Sequence, residues 1–370
     1  MTHKRLIVFG PLPPPYHGVA VSTSLVLRNE TLKEHFSVEH LDTTDPRTID
    51  NIGRWDWGNL RTGLVALARL HARLRRPRGV VYLPLSENAG GFFRDSLYVW
   101  SAHLRGWKVA VHIRNSLFRR FYSSQPAPLQ WWIRITMKRL TAVAVLGESL
   151  RPLMDGFVPT DRVAVVPNGT PPFEGHPGPR ADDLVLYLSG ILRKKGADHA
   201  VRAACLVVER RPTTRFVLAG DWEDEAFEQE IRSIAAPAGD RIEFAGPTWG
   251  QPKLELMATA TVLLFPVAWG EGHPRIVLEA MAAGLPVVTT DRSTIAETLG
   301  EGGFVLSDPD PVELAEKITA LLEDRALRER MGASGLERWR SHYTQVEADR
   351  RIAEWLVSVP TLGDGFGPEE

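Results

Sequence analysis

Cysteine is almost missing from this sequence: Cys205 is the only one in 370 residues. A single thiol excludes an internal disulfide, and no metal-binding pattern surrounds it. It lies in AVRAACLVVERR (200–211), a stretch with helical periodicity, so we expect a buried structural thiol and not a nucleophile. With no disulfide framework indicated, the cytoplasm is the expected compartment.

Long apolar runs are missing as well. No stretch of about 18 uncharged apolar residues is present, so no transmembrane helix is predicted. The amino terminus, MTHKRLIVFGPLPPPYHG, has a run of only four apolar residues, LIVF, before glycine and proline interrupt it. That run is too short for a signal-peptide core and predicts a first β-strand instead. The G-x-G-x-x-G fingerprint is also absent, which disfavours a dinucleotide-dependent dehydrogenase.

Net charge is close to zero, at −1, but it is unevenly distributed. Residues 1–170 hold 23 Lys and Arg against 12 Asp and Glu, a charge of +11, whereas the remainder holds 21 against 33, a charge of −12. Such an asymmetry predicts that the first half meets something anionic, such as a phosphate-bearing substrate or a membrane surface. No nucleic-acid-binding motif is present, so nucleic acid is not an expected partner.

Apolar strand-like runs alternate with amphipathic helical segments along almost the whole chain. Continuous Val, Ile and Leu runs between helices predict parallel strands buried on both faces. The alternation occurs twice and is interrupted by the Pro- and Gly-rich stretch 167–183. We therefore predict the α/β class with two doubly wound Rossmann-like domains, 1–172 and 173–342, facing across a cleft. The last helix, 343–359, follows no strand.

The stretch GEGHPRIVLEAMAAGLPVV (270–288) is the most informative segment. Pro274 suits the first position of a helix and Gly284 the position after its end. The free N–H groups at such a helix start, together with the helix dipole, form an anion site. Glu271 stands just before this start, at the predicted cleft edge, where it can accept hydrogen bonds from ligand hydroxyls. Glu279 lies inside an otherwise apolar helix and needs a partner.

Further candidate residues follow other predicted strands. Arg193 and Lys195 lie at a strand-to-helix turn, where cations can neutralise phosphate. His112 and Arg114 end another strand, and Gly18 opens the first helix, where a glycine lets backbone approach a ligand. The acidic stretches DPD (308–310) and DWEDE (221–225) are better explained as helix starts, with Asp310 as a cap, so no metal site is expected.

Together these segments resemble the retaining glycosyltransferases of the GT-B fold, family 4. The resemblance rests on EGHPRIVLEAMAAGLPVV, with the E-x7-E motif of Glu271 and Glu279, and on SGILRKKG and VVPNGTP. It extends to GPLPPPYHG, FVLAGD and IEFAG, in family order over about 350 residues. The E-x7-E stretch with its flanks is specific, whereas the others alone would be weak.

The resemblance implies a nucleotide-diphosphate sugar donor held mainly by the second domain, with no cofactor and no metal. Glu271 would contact the sugar hydroxyls and Glu279 the nucleotide ribose, with His112 as the active-site histidine. The groups implied to face the diphosphate are the backbone around Gly272, His273, Pro274 and Arg275 and the cations Arg193 and Lys195. The last helix would cross back onto the first domain.

Three positions depart from the family pattern. Gly190 occupies the position of an arginine that usually stands five residues before the motif lysine, and Arg193 is a possible substitute. His17-Gly18 replace a pair of glycines, and in relatives with His-x-His-Gly the second histidine corresponds to Arg114. These departures keep a non-catalytic nucleotide-binding subunit open as an alternative, and a nucleotide-sugar epimerase on the same fold is another.

The expected function is sugar transfer to a glycan or polyprenyl-linked acceptor in cell-surface polysaccharide synthesis. Two basic segments of the first half, 68–79 and 128–140, mix cations with apolar or aromatic residues at helical spacing. This pattern is typical of helices on an anionic membrane surface, and it equally fits helices with a half-buried aromatic face. The inner face of the membrane is accordingly a second expected location.

Overall fold

The structure is a computed structural model that describes residues 4–14, 18–44, 57–75, 78–175 and 183–359. It divides into two compact units, the first comprising Met1–Asn168 and Ala348–Glu370 and the second Gly169–Glu347. The division thus falls four residues before the position expected from the sequence. Its physical reason is backbone pairing, because the Thr170 N–H donates to the Tyr343 carbonyl at 3.0 Å within the second unit.

The first unit alternates strands and helices. In chain order, its elements are β1 (Lys4–Gly10), α1 (Gly18–Arg28), α2 (Glu30–His35), β2 (Phe36–Asp42), α3 (Trp57–Arg73), β3 (Gly79–Leu85), α4 (Ala89–His103), β4 (Lys108–Ile113), α5 (Phe118–Ser123), α6 (Ala127–Met137), β5 (Ala142–Val145) and β6 (Val163–Val165). The strands are rich in Val, Ile and Leu, and most of their side chains are buried, as expected for a sheet covered on both faces.

These strands form one parallel sheet in the order β2-β1-β3-β4-β5-β6. The direction of winding reverses between β1 and β3, which pair with Leu6 opposite Val80. Separate apolar clusters cover the sheet, one formed with α3, α4 and α6 and the other with α1 and the last helix. In an open sheet of this kind ligands bind outside the carboxyl ends of the strands at the reversal.

The second unit repeats the design. Its elements are β7 (Leu184–Leu188), α7 (Ala197–Arg210), β8 (Arg215–Ala219), α8 (Glu225–Ala235), β9 (Ile242–Phe244), α9 (Gly250–Thr259), β10 (Val262–Phe265), α10 (Arg275–Ala282), β11 (Val287–Thr290), α11 (Ile295–Leu299), β12 (Gly303–Leu306), α12 (Pro311–Glu323) and α13 (Arg325–His342). Its parallel sheet has the order β12-β11-β10-β7-β8-β9. If β7 is counted as strand 1, this is the strand order 3-2-1-4-5-6 of dinucleotide-binding folds. The direction of winding reverses between β7 and β10.

The last helix, α14 (Gln345–Ser358), joins the first unit from Ala348 onward. Ile352, Trp355 and Leu356 are buried in the same apolar cluster as Leu6 and Tyr82. The Asn29 side-chain amide also donates to the Asp349 carbonyl at 2.7 Å. A helix that follows the whole second unit along the chain therefore completes the core of the first unit.

The predicted α/β class with two doubly wound sheets is confirmed. Both acidic stretches are helix starts: Asp310 accepts hydrogen bonds from the N–H groups of Val312 and Glu313, and Asp224 accepts one from Phe227. Among the residues that the structure describes, no helix is both long and apolar enough to cross a bilayer.

Candidate functional site

The reversal in the second sheet brings two loops together. The chain leaves β7 at Leu188 and turns through residues 189–196, and it leaves the neighbouring strand β10 at Phe265 and runs through 266–274. The carbonyl of Lys194 accepts hydrogen bonds from the N–H groups of Ala268 and Trp269, at 3.2 and 3.1 Å. The two loops are thus joined by backbone hydrogen bonds at the point where ligands of this fold bind.

Gly196 permits this close approach. Its φ is +71°, a left-handed conformation that glycine adopts without steric cost. A Cβ atom added here would lie 1.9 Å from the carbonyl oxygen of Pro266. The glycine therefore serves both the turn between β7 and α7 and the contact between the two loops.

Lys195 and Glu271 come together in this place. The Lys195 ammonium forms an ion pair with Glu271 Oε1, and the two side chains are only 21% and 14% exposed. Lys195 also lies over the ring of Phe265, 5.6 Å from its centroid. The sequence predicted that the two residues follow strands. In the structure they form one ion pair, and both side chains remain partly exposed.

The loop after Glu271 is held from the end of β11. The carbonyl of Gly272 accepts hydrogen bonds from the hydroxyls of Ser293 and Thr294, each at 2.8 Å. Since C=O and N–H of one trans peptide point in opposite directions, these bonds also orient the N–H of His273 away from Ser293 and Thr294. The His273 ring is buried and lies 5.4 Å from the ring of Tyr343. His273 thus contributes its backbone at this loop, while its ring belongs to the core.

Helix α10 begins one residue later than the sequence indicated. Pro274 has an extended conformation (φ −69°, ψ 120°) and is the N-cap, so Arg275 is the first helical residue. The difference arises because Pro274 has the extended ψ of a cap residue, so the helical conformation starts at Arg275. At the other end Gly284 has φ +62°, and Leu285 N–H donates to the Ala280 carbonyl at 2.8 Å, so the predicted glycine stop is confirmed.

Glu279 has the partner that its position in α10 requires. Lys253, in the first turn of α9, donates to Glu279 Oε2 at 2.7 Å, and both side chains are about one-quarter exposed. This second ion pair is separate from the first. The two glutamates of the E-x7-E pattern are each paired with a lysine from a different helix-start region.

The side chains of Arg193, a predicted cation, and of Arg275, predicted to contribute its backbone, have other partners. Arg193 pairs with Glu230 at 2.5 Å, and its guanidinium lies 4.3 Å from the ring centroid of Phe227, so it covers α8. Arg275 donates to the backbone carbonyl of Gly169 at 2.7 Å. Arg193 is therefore directed toward α8, and Arg275 binds the backbone at Gly169.

In the first unit His112 is completely buried. Its Nδ1 lies 3.3 Å from the Tyr82 hydroxyl and 3.1 Å from Nη1 of Arg114, and Trp355 packs against its ring. Nη1 of Arg114 also lies 3.4 Å from Nε2, and since an arginine can only donate, the imidazole ring is the acceptor in this contact. Burial, and secondly the charge of Arg114, hold the pKa of His112 well below its usual value. The imidazole is therefore neutral.

Arg114 lies just past β4, at the carboxyl edge where the sequence placed a site, and it is partly exposed. Its Nη2 donates to Asn168 Oδ1 at 2.8 Å and to the Ser22 hydroxyl of α1. Gly18, the first residue of α1, is exposed and has open space around it, whereas His17 lies outside the described residues. At this edge Arg114 is thus partly exposed, and His112 is buried behind it.

Sequence reasoning missed Lys253, Ser293, Thr294 and Arg292. Arg292 donates to the carbonyls of Ala268 and Ser307, at 3.3 and 2.7 Å, and so supports the loop that carries Glu271. A signal for three of them was present, because the segment DRST follows β11 at the carboxyl edge of the same sheet. Lys253 had no local signal, since its pairing with Glu279 spans 26 residues.

Comparison with known proteins agrees with this architecture. The chain has 13% identity to the crystal structure of a glycosyltransferase from Rickettsia africae ESF-5, with a TM-score of 0.77 over 97% of this chain and 99% of that one. The crystal structure of Anabaena HepE in complex with UDP and glucose has 16% identity and a TM-score of 0.71, over 96% and 100%. The fold is therefore that of the GT-B glycosyltransferases.

Residues 173–338 match the model of the family described as glycosyl transferases group 1. The second unit is thus similar to this family, in agreement with the resemblance seen in the sequence. The lipopolysaccharide core biosynthesis mannosyltransferase LpsB of Rhizobium meliloti is 26% identical over 72% of this chain and 84% of its own length. A phosphatidyl-myo-inositol mannosyltransferase of Mycobacterium leprae is 31% identical over 54% of each chain. The first curated relatives are matched over about half of their length or less.

Proposed function

We propose that this protein is a retaining, metal-independent glycosyltransferase. It moves a sugar from a nucleotide-diphosphate sugar to a glycan or lipid-linked acceptor in cell-surface polysaccharide synthesis, at the inner face of the membrane. The observation that carries the proposal is the Lys195–Glu271 pair at the reversal of the second sheet. The relatives named as mannosyltransferases and the neighbour crystallised with UDP and glucose support the same reaction class.

The site contains the groups that departure of a diphosphate needs. Negative charge develops on the leaving phosphates, and a preorganised cation and a helix start stabilise it without reorganisation. Lys195 and the amino terminus of α10 would supply these, while Glu271 would accept hydrogen bonds from the sugar hydroxyls. The Lys195–Glu271 contact opens as the donor takes both partners, because each charge then meets a group of the ligand.

Glu279 and Lys253 would bind the nucleoside part of the donor. A carboxylate accepts hydrogen bonds from two ribose hydroxyls, and Lys253 holds it in place at 2.7 Å. Arg193 faces Glu230 in the structure, so we assign the phosphate contact to Lys195 and not to Arg193. In the first unit we assign ligand contact to Arg114, since His112 is fully buried and neutral.

The first experiment is nucleotide release from a panel of UDP-, GDP-, ADP- and TDP-sugars in EDTA, with and without a lipid extract. Release from one donor with an acceptor, and a product of unchanged anomeric configuration by NMR, is the expected result. Conversion of the donor sugar without any acceptor would instead identify an epimerase. Nucleotide binding with no release under any condition would identify a non-catalytic subunit.

Variants locate the reaction in the proposed site. We expect Lys195→Ala and Glu271→Gln each to lower kcat by about 10²–10³-fold, since each removes a group that stabilises the transition state. Lys194→Ala and Glu301→Gln are the matched controls, because both side chains are exposed and Lys194 shares the turn of Lys195. Controls that lose as much activity as the site variants would contradict the assignment.

A further inference from the structure

The first sheet has a reversal of its own, and Glu87 stands beside it. Strand order changes direction between β1 and β3, and the segment Ser86–Asn88 follows β3 directly. Strand β4 lies on the other side of β3, with Leu85 paired to Ile113, so the segment also runs next to Arg114. Glu87 is therefore a carboxyl group at the place where an open α/β sheet binds its ligand.

The loop that carries Glu87 is rigidly held. Asp95, whose residue is 2% exposed, accepts a hydrogen bond from the Ser86 N–H at 2.9 Å and forms an ion pair with Arg94 at 2.7 Å. Asn88 caps α4 by accepting from the Gly91 N–H at 2.8 Å. Side chains placed by such buried contacts keep one geometry, which is what a binding group needs.

The two oxygens of Glu87 have different environments. Oε2 accepts a hydrogen bond from the Leu117 N–H at 3.1 Å. Oε1 is buried and, within the described residues, forms no hydrogen bond. A buried oxygen left unbonded is costly, and in a native protein it calls for a specific explanation. Burial raises the pKa of Glu87 to about 7, although N–H groups of Leu117 and Asn115 act in the opposite direction.

We infer that Glu87 binds a hydroxyl group of the acceptor through Oε1. The inference rests on the proposed function and adds to it the residue that recognises the acceptor within the first unit. A carboxylate oxygen accepts a hydrogen bond from a sugar hydroxyl, and Oε1 is the oxygen that is left to do so. The Glu87 residue is partly exposed although Oε1 is covered, so the side chain turns about its bond to Leu117 when Oε1 meets the ligand.

The test uses octyl glycosides of glucose, galactose and mannose, below their critical micelle concentrations, as probes of the full-length protein. Binding to the wild type, Glu87→Gln and Glu87→Ala is measured by saturation-transfer NMR, with UDP, GDP, ADP and TDP binding measured in parallel. Glu148→Gln is the matched control, because Glu148 follows β5 at the same sheet edge but is largely exposed and away from the reversal. Glu87→Gln keeps the oxygen that accepts from Leu117.

We expect at least one glycoside to bind the wild type, with about tenfold weaker binding in Glu87→Gln and a larger loss in Glu87→Ala, since a hydrogen bond to a charged group is lost. Glycoside binding that is equal in all variants, or absent from the wild type, would overturn the inference. Nucleotide binding tests the proposed function separately. If glycoside binding is lost only in the Glu87 variants and none of the four nucleotides binds, Glu87 remains a sugar-binding residue but the proposed transfer is refuted.

Discussion

Glu87 makes the stability of the first unit depend on pH. Its pKa rises from 4.5 to about 7 on folding, because burial disfavours the charged form. The Glu87 carboxyl group therefore binds its proton more tightly in the folded state than in the unfolded state. The contribution of this proton to the free energy of unfolding is fully present below pH 4.5, and it is lost as the pH rises through 7. At pH 8 the ionised carboxylate would cost about 3 kcal/mol of the free energy of unfolding.

We accordingly expect Glu87→Gln to stabilise the first unit at pH 8 by up to about 3 kcal/mol and to have little effect near pH 4.5. Amide hydrogen exchange of β3 and β4 measures the free energy needed to open the first unit. Glu148→Gln should show no such trend, since that side chain is largely exposed. A Glu87→Gln effect that is the same at every pH would refute the explanation.

The place of a site residue could be predicted where the residue directly follows a strand. Lys195 and Glu271 follow neighbouring strands, and the carboxyl ends of parallel strands share one edge, so their meeting follows from the order of the elements. The direction of a long side chain does not follow in the same way. Arg193 stands only two residues before Lys195 but faces Glu230, because the intervening turn points the two side chains apart.

The turn between β7 and α7 depends on a single glycine. Replacing Gly196 by alanine puts a side chain on a residue with φ +71° and directs its Cβ to within 1.9 Å of the Pro266 carbonyl oxygen. The left-handed conformation costs about 1–2 kcal/mol, and displacing a backbone carbonyl costs roughly 1–3 kcal/mol more. We expect Gly196→Ala to destabilise the second unit by about 2–5 kcal/mol in urea unfolding.

Gly246→Ala is the control for this change. Gly246 has nearly the same φ, +70°, but nothing lies within 4 Å of an added Cβ. Gly246→Ala should lower the free energy of unfolding only by the cost of the left-handed conformation, about 1–2 kcal/mol. Equal destabilisation by the two substitutions would mean that the contact between the loops at 196 and 266 is unimportant for stability.

Helix α6 shows what periodicity can and cannot predict. Its helical nature was evident from PLQWWIRITMKRL, but two adjacent tryptophans do not reveal which one faces the core. In the structure Trp132 donates to the Ser96 hydroxyl at 2.8 Å and stacks on Trp100, while Trp131 is 62% exposed. The neighbouring helix α4, which supplies both partners, decides the orientation, and that contact spans 36 residues.

The positive charge of the first 170 residues and the exposed side chain of Trp131 together support contact with an anionic bilayer. We expect the protein to sediment with vesicles containing phosphatidylglycerol, and not with phosphatidylcholine alone, and to be released at high salt. Trp131→Ala should weaken this binding by about tenfold, as expected for losing a partly inserted aromatic ring.

Trp249→Ala is the matched substitution in the second unit, where the tryptophan is similarly exposed, at 65%. It should leave vesicle binding unchanged, because the second half of the chain has a net negative charge. If both tryptophan variants bind like the wild type, or both lose binding equally, the first unit has no special role at the membrane.

The position of α14 has a consequence for how the protein is made. Ile352 and Trp355 complete an apolar cluster whose other members, such as Leu6 and Tyr82, are translated hundreds of residues earlier. A ribosome has to synthesise the entire second unit before the first can close its core, so that face stays uncovered for most of translation. At roughly 5–20 residues per second this interval is on the order of ten seconds or more. Nascent chains of this protein should therefore depend on chaperones more than those of proteins whose domains are contiguous in sequence.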